Sequence, residues 1–158
     1  MNEGEPRRFL VLLPDLTSTI PTDLDLDIHL AARALVEASF DWVWLAQPLS
    51  NRCIYLGRAP ILGYSPRELE DVGVSGWVEL VHPEDRIKLE ERDRQALAEP
   101  GPLVVEYRVQ RADGGWAFVE AKTIVVPSAS AGKPIFVGAA RDVTTERESL
   151  RATRRSQA

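Results

Sequence analysis

The strongest constraint on the fold is an alternation of apolar and polar residues over 103–126. In "LVVEYRVQR" the odd positions from Leu103 to Val109 are apolar, and from Glu106 onward the side chains between them are polar. A period of two is typical of a strand with one buried face. The turn "ADGG" follows, and "WAFVEAKTIVV" continues the alternation. The predicted inner-face residues are Leu103, Val105, Tyr107, Val109, Ala117, Val119, Ala121 and Thr123. We therefore predict an antiparallel hairpin that covers a core.

The turn also predicts the register of this hairpin. A three-residue loop of 113–115, with a glycine in the left-handed conformation, pairs residues whose numbers sum to 228, as 112 and 116 do. Glu106 then lies opposite Lys122, and Arg108 lies opposite Glu120. Each of these opposite-charge pairs on the outer face would contribute roughly 0.2–1 kcal/mol.

Three further strands are predicted from β-branched and aromatic runs. Phe40–Ala46 and Arg52–Arg58 are separated by "QPLSN", which favours a turn. The last strand lies in "PIFVGAARDV", after the loop 127–133. Five strands with helices between the second and the third predict an α+β fold, in which one antiparallel sheet carries helices on one face.

The first of these helices has a clear start signal. Ser65 is the predicted N-cap, Pro66 the first helical residue and Glu68 the third, which together form a capping box.

The stretch "WVELVHPEDR" predicts the start of the next helix. Pro83 fits the first helical position, which makes His82 the N-cap. The alternative is that His82 binds a metal or haem. We favour the cap, because the only other histidine is His29, on a separate predicted helix. The helix ends before Pro100, and its candidate core residues are Ile87, Leu89 (or Glu90), Ala96 and Leu97.

The N-terminal region is predicted to contain an arm and a flanking helix. Residues 1–27 are irregular, and the apolar run in "RRFLVLL" is too short for a secretory core or a membrane span. Residues 28–39 carry a helical apolar stripe that includes Leu30, Ala34 and Leu35. This stripe, together with Trp116 and Phe118 on the outer face of the sheet, could pack within the domain or form a dimer surface, and we favour the dimer surface.

Composition narrows the possible functions. The net charge of −5 and the pI near 5.1 argue against a nucleic-acid partner. The single cysteine, Cys53, excludes an internal disulfide and a cysteine-rich zinc site. No catalytic triad, metal-ligand spacing or phosphate loop is visible, so we predict no catalytic residues and no metal site. We expect a cytoplasmic protein without direct membrane contact.

Four motifs in series resemble the PAS sensory-domain family: "ILGYSPREL", "WVELVHPEDR", "VEYRVQRADGGWAFVEA" and "GKPIFVGAARDVTTER". The resemblance covers Phe40 to Arg147 and implies a five-stranded antiparallel sheet of order 2-1-5-4-3. It also implies a sensing or protein-interaction module, often dimeric, upstream of a kinase, cyclase or regulator domain. We place the PAS domain at 40–145 and the start of a C-terminal linker helix at 146–158. No effector follows in this chain, which is thus either a piece of a longer sensor or a module that works by association.

The resemblance leaves the cofactor unknown. Flavin-binding relatives use an Asn-Cys-Arg motif on a helix, whereas this chain has "NRC" (51–53) on a predicted strand. Haem-binding relatives use a histidine on the helix after "HPEDR" or on neighbouring strands, and residues 86–100 contain none. A flavin adduct and haem are therefore both disfavoured.

In "RDVTTER" the family pattern places the signal exit at Asp142 and Thr144. Their side-chain oxygens suit the unpaired N–H groups of a helix start, and Thr145 with Glu148 forms a second possible capping box.

The function that we predict is a sensory PAS domain that forms a homodimer and relays a signal to an output domain. The alternative is a small-molecule receptor with a cavity between sheet and helices, although the same residues could fill a solid core. The predicted lining is Leu89, Val105, Tyr107, Val119 and Ala121. Catalysis is the least favoured reading.

Overall fold

The predicted strands form one antiparallel sheet. They are β1 (Trp42–Gln47), β2 (Arg52–Leu56), β3 (Leu103–Gln110), β4 (Trp116–Val126) and β5 (Ile135–Asp142). Their order is β2-β1-β5-β4-β3, which confirms the predicted topology.

The computed structural model describes residues 40–56, 59–99, 101–126 and 134–158. The predicted arm 1–27, the flanking helix 28–39 and the loop 127–133 lie outside the described residues. So do Gly57 and Arg58, at the end of the predicted second strand.

The predicted register of the β3–β4 hairpin is wrong by two residues. Paired residue numbers sum to 226, so that Glu106 lies opposite Glu120, and Arg108 lies opposite Phe118. The loop is 112–114, because the N–H of Arg111 donates to the carbonyl of Gly115 (2.7 Å). Gly114 adopts the left-handed conformation, with φ of 91°. The sum remains even, so the inner and outer faces were assigned correctly.

The turn chemistry explains this shift. The Asp113 carboxylate accepts a hydrogen bond from the N–H of Gly115 at 2.9 Å, which folds the loop around the aspartate. The acidic side chains of the outer face then take other partners. Glu106 forms an ion pair with Arg147, and Glu120 forms one with Arg141.

Two helices, α1 (Pro66–Leu80) and α2 (Arg86–Ala98), lie between β2 and β3 along the chain, and α3 (Thr144–Ser156) follows β5. The capping box that opens α1 is confirmed. Ser65 accepts from the N–H of Glu68, and the Glu68 carboxylate accepts from the N–H of Ser65.

Helix α1 is broken at Gly73, a feature that the sequence pattern did not predict. Gly73 has φ of 67° and ψ of −161°, a backbone conformation open essentially to glycine alone. The β1–β2 turn fills the break, and Asn51 accepts a hydrogen bond from the N–H of Ser75 at 2.8 Å. Asn51 thus caps the second half of the helix from a distant segment.

The core lies between the inner face of the sheet and the helices. Tyr107, Val109, Ala117, Val119, Ala121 and Thr123 are buried, as predicted. On α2, Leu89 and Ala96 are buried, but Ile87 and Leu97 are 52% and 56% exposed, so their predicted place in the core is wrong. The buried residues of this segment instead follow helical spacing from Asp85 through Leu89 to Ala96, with the half-buried Arg92 among them. Because this inward stripe contains an acid and an arginine, the spacing of apolar residues in the sequence did not indicate it.

The "HPED" corner closes the free edge of β3. His82 is the N-cap of a 3₁₀ turn at Pro83–Asp85, and its Nδ1 accepts from the N–H of Glu84 (3.2 Å), which confirms the capping role. The N–H of His82 donates to the carbonyl of Arg108 (2.9 Å). Partners of this kind stop an edge strand from pairing with another chain.

Asp85 holds the same edge from inside the protein. It is only 3% exposed, and its carboxylate accepts from the backbone N–H of Arg108 (2.8 Å) and from the guanidinium of that arginine (2.8 and 2.9 Å). The side-chain hydrogen bond from Arg108 lowers the pKa of Asp85 well below its ordinary value. The carboxylate is therefore ionised at neutral pH.

Replacing Asp85 with Asn should lower the free energy of unfolding at pH 7 by about 2 kcal/mol, because hydrogen bonds to charged groups contribute roughly 1.5–3 kcal/mol. The folded pKa lies below the unfolded one. The contribution is thus fully present above about pH 3.9 and is lost as the pH falls below it. Urea unfolding at pH 7 and pH 3 should show a difference between the two proteins that narrows in acid.

Asp71→Asn, on the exposed side of α1, is the matched control and should change stability by less than about 0.5 kcal/mol. A difference between wild type and Asp85→Asn that is constant or larger at pH 3 would contradict the role of the ionised carboxylate.

Candidate functional site

A cavity of about 60 Å³ lies between the sheet and the helices, beside the β1–β2 hairpin. Five of its thirteen wall residues are aromatic, and its volume exceeds the roughly 10–15 Å³ that one water needs. The space therefore suits water or a small molecule. The lining residues are Trp44, Ala46, Pro48, Cys53, Tyr55, Val74, Trp77, Val78, Leu89, Arg92, Asp93, Tyr107 and Phe136.

Only part of the predicted lining reaches this cavity. Leu89 and Tyr107 line it. Val119 and Ala121 are fully buried on β4 outside its walls, and Val105 is half-buried against the core.

Four of the wall residues, two of them aromatic, come from β1 and β2, which the prediction left out. Trp44 and Ala46 on β1, and Cys53 and Tyr55 on β2, all face inward. A period-two analysis does not select this face, because the alternate residues Val43 and Leu45 on β1, and Ile54 and Leu56 on β2, are also apolar.

One charged pair sits in this wall. The guanidinium of Arg92 lies 5.7 Å from the centre of the Trp44 ring and donates to Asp93 through Nε (2.9 Å) and Nη2 (2.6 Å). The Arg92 side chain is 10% exposed. It is thus a charge held against an aromatic face and neutralised by its neighbour.

The remaining polar groups of the wall are uncharged at neutral pH. Burial raises the pKa of the Cys53 thiol, although a hydrogen bond with Tyr55 opposes the rise. Burial also raises the pKa values of Tyr55 and Tyr107. The wall thus presents hydroxyl and thiol groups beside the Arg92–Asp93 ion pair.

Cys53→Met should fill the cavity, because it adds two heavy atoms to a wall residue. At roughly 24 cal/mol per Å³, filling about 60 Å³ would add at most about 1.4 kcal/mol to the free energy of unfolding. Urea unfolding measures this gain. The control is Ala121→Val, which adds the same number of atoms outside the cavity and should cost about 1–3 kcal/mol. A loss for Cys53→Met equal to that of the control would show that no space is available.

The second candidate site is the junction of β5 and α3, where Asp142 and Thr144 lie. The N–H of Val143 donates to the carbonyl of Phe118 (2.8 Å), and Thr144 Oγ1 accepts from the N–H of Phe118 (2.9 Å). Val143 and Thr144, the two residues that follow β5, therefore remain hydrogen-bonded to β4. The backbone N–H of Thr144 and its hydroxyl both donate to Asp142 Oδ1. We call Asp142 and Thr144 the exit joint.

The second predicted capping box is wrong. Helix α3 begins at Thr144 with Val143 at its N-cap, so Thr145 already lies inside the first turn and cannot cap it. The bonds between Thr144 and β4 fix this earlier start.

Arg111, in the β3–β4 loop region, completes the joint and was missed from the sequence. Its Nη2 lies 2.6 Å from Asp142 Oδ2 and 3.1 Å from Thr144 Oγ1. Burial opposes ionisation of Asp142, but the hydrogen bonds from Thr144 and Arg111 outweigh it and lower the pKa of this carboxyl. The joint thus contains a stable ion pair at neutral pH.

Helix α3 also packs on the outer face of the sheet. The guanidinium groups of Arg147 and Arg151 lie 5.3 and 5.1 Å from the centre of the Phe118 ring, and Arg147 pairs with Glu106. Phe118, predicted as part of a dimer surface, is therefore contacted by α3. Trp116 remains 43% exposed and contacts the His82 ring at 4.9 Å between centroids.

The other predicted dimer residues, Leu30, Ala34 and Leu35, lie outside the described residues. Within the described part of the chain, the outer face of the sheet exposes apolar side chains on both edge strands. Ile54, Leu56 and Val104 are 42%, 54% and 60% exposed.

Two further features concern residues 40–56, 59–99, 101–126 and 134–158, namely their possible metal ligands and the length and polarity of their helices. In these segments no three His, Cys, Asp or Glu side chains form a group that could hold a metal ion. Their helices do not reach the length and apolar character that crossing a membrane requires.

The family described as PAS fold matches residues 58–140, which is more than half of the chain. The chain belongs to the PAS fold family. This confirms the predicted resemblance to PAS sensory domains.

One curated relative of this PAS domain is the uncharacterized protein y4lL of Sinorhizobium fredii, with 28% identity over 127 residues. The match covers 80% of the present chain but only 15% of that protein. The chain thus corresponds to a small part of this relative.

Solved structures show the same fold. A sensory box histidine kinase/response regulator from Burkholderia thailandensis has a TM-score of 0.62 and 22% identity, covering 79% of this chain and 93% of that one. A PAS domain from Colwellia psychrerythraea has a TM-score of 0.56 and 21% identity, covering 75% and 99%. The N-terminal domain of a diguanylate cyclase with PAS/PAC sensor from Marinobacter aquaeolei has values of 0.55 and 19%, covering 67% and 97%.

Proposed function

We propose that this PAS domain is a sensory and protein-interaction module that dimerises and relays a signal through α3 to an output domain. The observation that carries the proposal is the exit joint, in which the first residue of α3 is bonded to β4 and the helix continues from there along the outer face of the sheet. The printed names of two structural relatives, a histidine kinase and a diguanylate cyclase, support a place in signalling proteins.

The geometry of the joint suits a relay. Thr144 is at once the first residue of α3 and the acceptor for a backbone N–H of β4. A shift of β4 relative to β5 must therefore move the start of the helix or break this bond. Because β4 also carries core residues on its inner face, such as Val119 and Ala121, a change in the core can reach α3 in one step.

Thr144→Val tests the relay, because it removes the hydroxyl and keeps the shape. In a fusion of the full chain to a histidine kinase core, with α3 continuous into the kinase, autophosphorylation should change by about fivefold or more. Coupling free energies of 1–3 kcal/mol correspond to 5–150-fold.

The matched control is Thr145→Val, the same change at the next, exposed residue of α3. It should leave the rate within about twofold. Equal rates for Thr144→Val and wild type would contradict the relay.

The dimer is proposed to use the apolar stripe of 28–39 together with the outer face of the sheet, whose exposed Ile54 and Leu56 favour an apolar contact. Sedimentation velocity of the full chain should show a dimer that Leu35→Asp converts to a monomer. Leu49→Asp is the control, since Leu49 is 77% exposed in the β1–β2 turn. A monomer at high concentration in the wild type would contradict the proposal.

The second candidate function, a receptor for a small molecule, is favoured by the cavity. It would bind a compact, neutral compound among Trp44, Tyr55 and Tyr107. Native mass spectrometry of freshly purified protein is the direct test. A bound mass that is present in the wild type and lost in Cys53→Met supports the receptor, whereas the bare polypeptide mass in both counts against a tightly held ligand.

A further inference from the structure

The start of the domain and its exit are in direct contact through Asp41, the residue that precedes β1. The backbone N–H of Asp41 donates to the carbonyl of Ala140 at 3.0 Å. Its carboxylate Oδ2 accepts from the backbone N–H of Asp142 at 2.7 Å. A side chain at the beginning of the domain therefore holds the main chain of the exit joint, 101 residues further on.

The register of the sheet explains why this contact exists. β1 pairs with β5 up to Trp42 opposite Ala140, whereas β4 pairs with β5 as far as Val119 opposite Asp142. At Asp142, β5 is therefore still paired with β4 on one side but has no partner from β1 on the other. The carboxylate of Asp41 takes the place of the missing backbone acceptor and satisfies an N–H group that would otherwise lack a partner on this side.

Asp142 is consequently held from two directions. Its backbone N–H is bonded to Asp41, and its carboxylate is bonded to Arg111 and to Thr144. The first bond comes from the start of the domain and the second from the β3–β4 hairpin. Both converge on the residue that orients the start of α3.

We propose that Asp41 is a positioning residue of the exit joint, which couples the segment preceding β1 to the start of α3. This proposal rests on the relay proposed above and adds a second input to it. The route runs from Asp41 to the N–H of Asp142 and on to Thr144, without passing through the cavity or through α1 and α2. A displacement of the segment that precedes β1 moves the Asp41 carboxylate and lengthens or breaks its hydrogen bond to the N–H of Asp142.

Hydrogen exchange of the full chain, followed by NMR, tests the coupling without any output domain. Asp41→Ala should accelerate exchange at the amides of Asp142 and Thr144 by about tenfold or more, and leave the amides of Leu69 and Tyr107 unchanged. Asp41→Asn, which keeps an acceptor oxygen, should show an intermediate effect. Asp71→Ala, an exposed acid on α1, is the control and should change none of these rates.

A double-mutant cycle tests whether the effect of the segment that precedes β1 passes through Asp41. Ala38→Pro perturbs the segment predicted as the flanking helix. It should accelerate exchange at Asp142 and Thr144 in the wild-type background but not when Asp41 is already alanine. If the two changes act additively, the incoming segment reaches the joint by another path and the proposal is overturned.

The remaining outcomes are equally decisive. If hydrogen exchange at Asp142 is unchanged in Asp41→Ala, the proposed coupling is contradicted. If exchange accelerates uniformly over the core, Asp41 contributes only to general stability and the proposal is overturned. Should the alanine variant fail to fold, Asp41→Asn supplies the same comparison. Failure of the Thr144→Val kinase fusion would remove the relay but leave these exchange results standing, so that the two proposals can fail separately.

Discussion

The structure depends on β5 being hydrogen-bonded on both sides. Because β5 lies between β1 and β4, the first and the last of the described strands meet in the middle of the sheet. The pairing also limits side-chain size. A Cβ at Gly138 would lie 2.1 Å from the indole of Trp44, so the ring rests directly on the β5 backbone. Arg92 approaches the same ring at 5.7 Å. The cavity wall and the exit joint are thus fixed by the same central strand.

Much of this architecture follows from sequence patterns, because burial on one face imposes a period of two on a strand. The alternation over 103–126 identified the inner face correctly, and local start signals such as Ser65 and His82 were accurate because each cap is made within three residues. The predicted register of the hairpin was wrong, because the side chain of Asp113 moved the loop by one residue. The sum of paired residue numbers stayed even, so the two faces were still assigned correctly. Patterns determine which face is buried more strongly than they determine which residues pair.

The contacts that sequence reasoning missed share another property, which is distance along the chain. Asn51 caps a helix that begins fifteen residues later, Arg111 closes the exit joint, and Asp41 bonds to an N–H group 101 residues away. Each is a polar side chain that satisfies a backbone or carboxylate group that the strand and helix ladders leave free. Neither periodicity nor local capping rules describe such pairs. They emerge only when the topology places two chain segments side by side.

The energies of these bonds bear on whether the joint can act as a switch. A ligand or partner shifts a two-state equilibrium only by its differential interaction with the two states, which for coupled sites is typically about 1–3 kcal/mol. Exposed ion pairs contribute roughly 0–1 kcal/mol, and hydrogen bonds from a free backbone N–H to a side-chain oxygen contribute roughly 0.5–2 kcal/mol. The partly exposed pair of Asp142 with Arg111 is of the first type, and the bond from the Asp142 N–H to the Asp41 carboxylate is of the second. A single such bond is strong enough to hold the start of α3 and weak enough to be broken by a moderate change at either end. An apolar contact of the same area would hold the helix without this directional sensitivity, because hydrophobic burial varies smoothly with displacement whereas a hydrogen bond weakens steeply as its angle departs from linear.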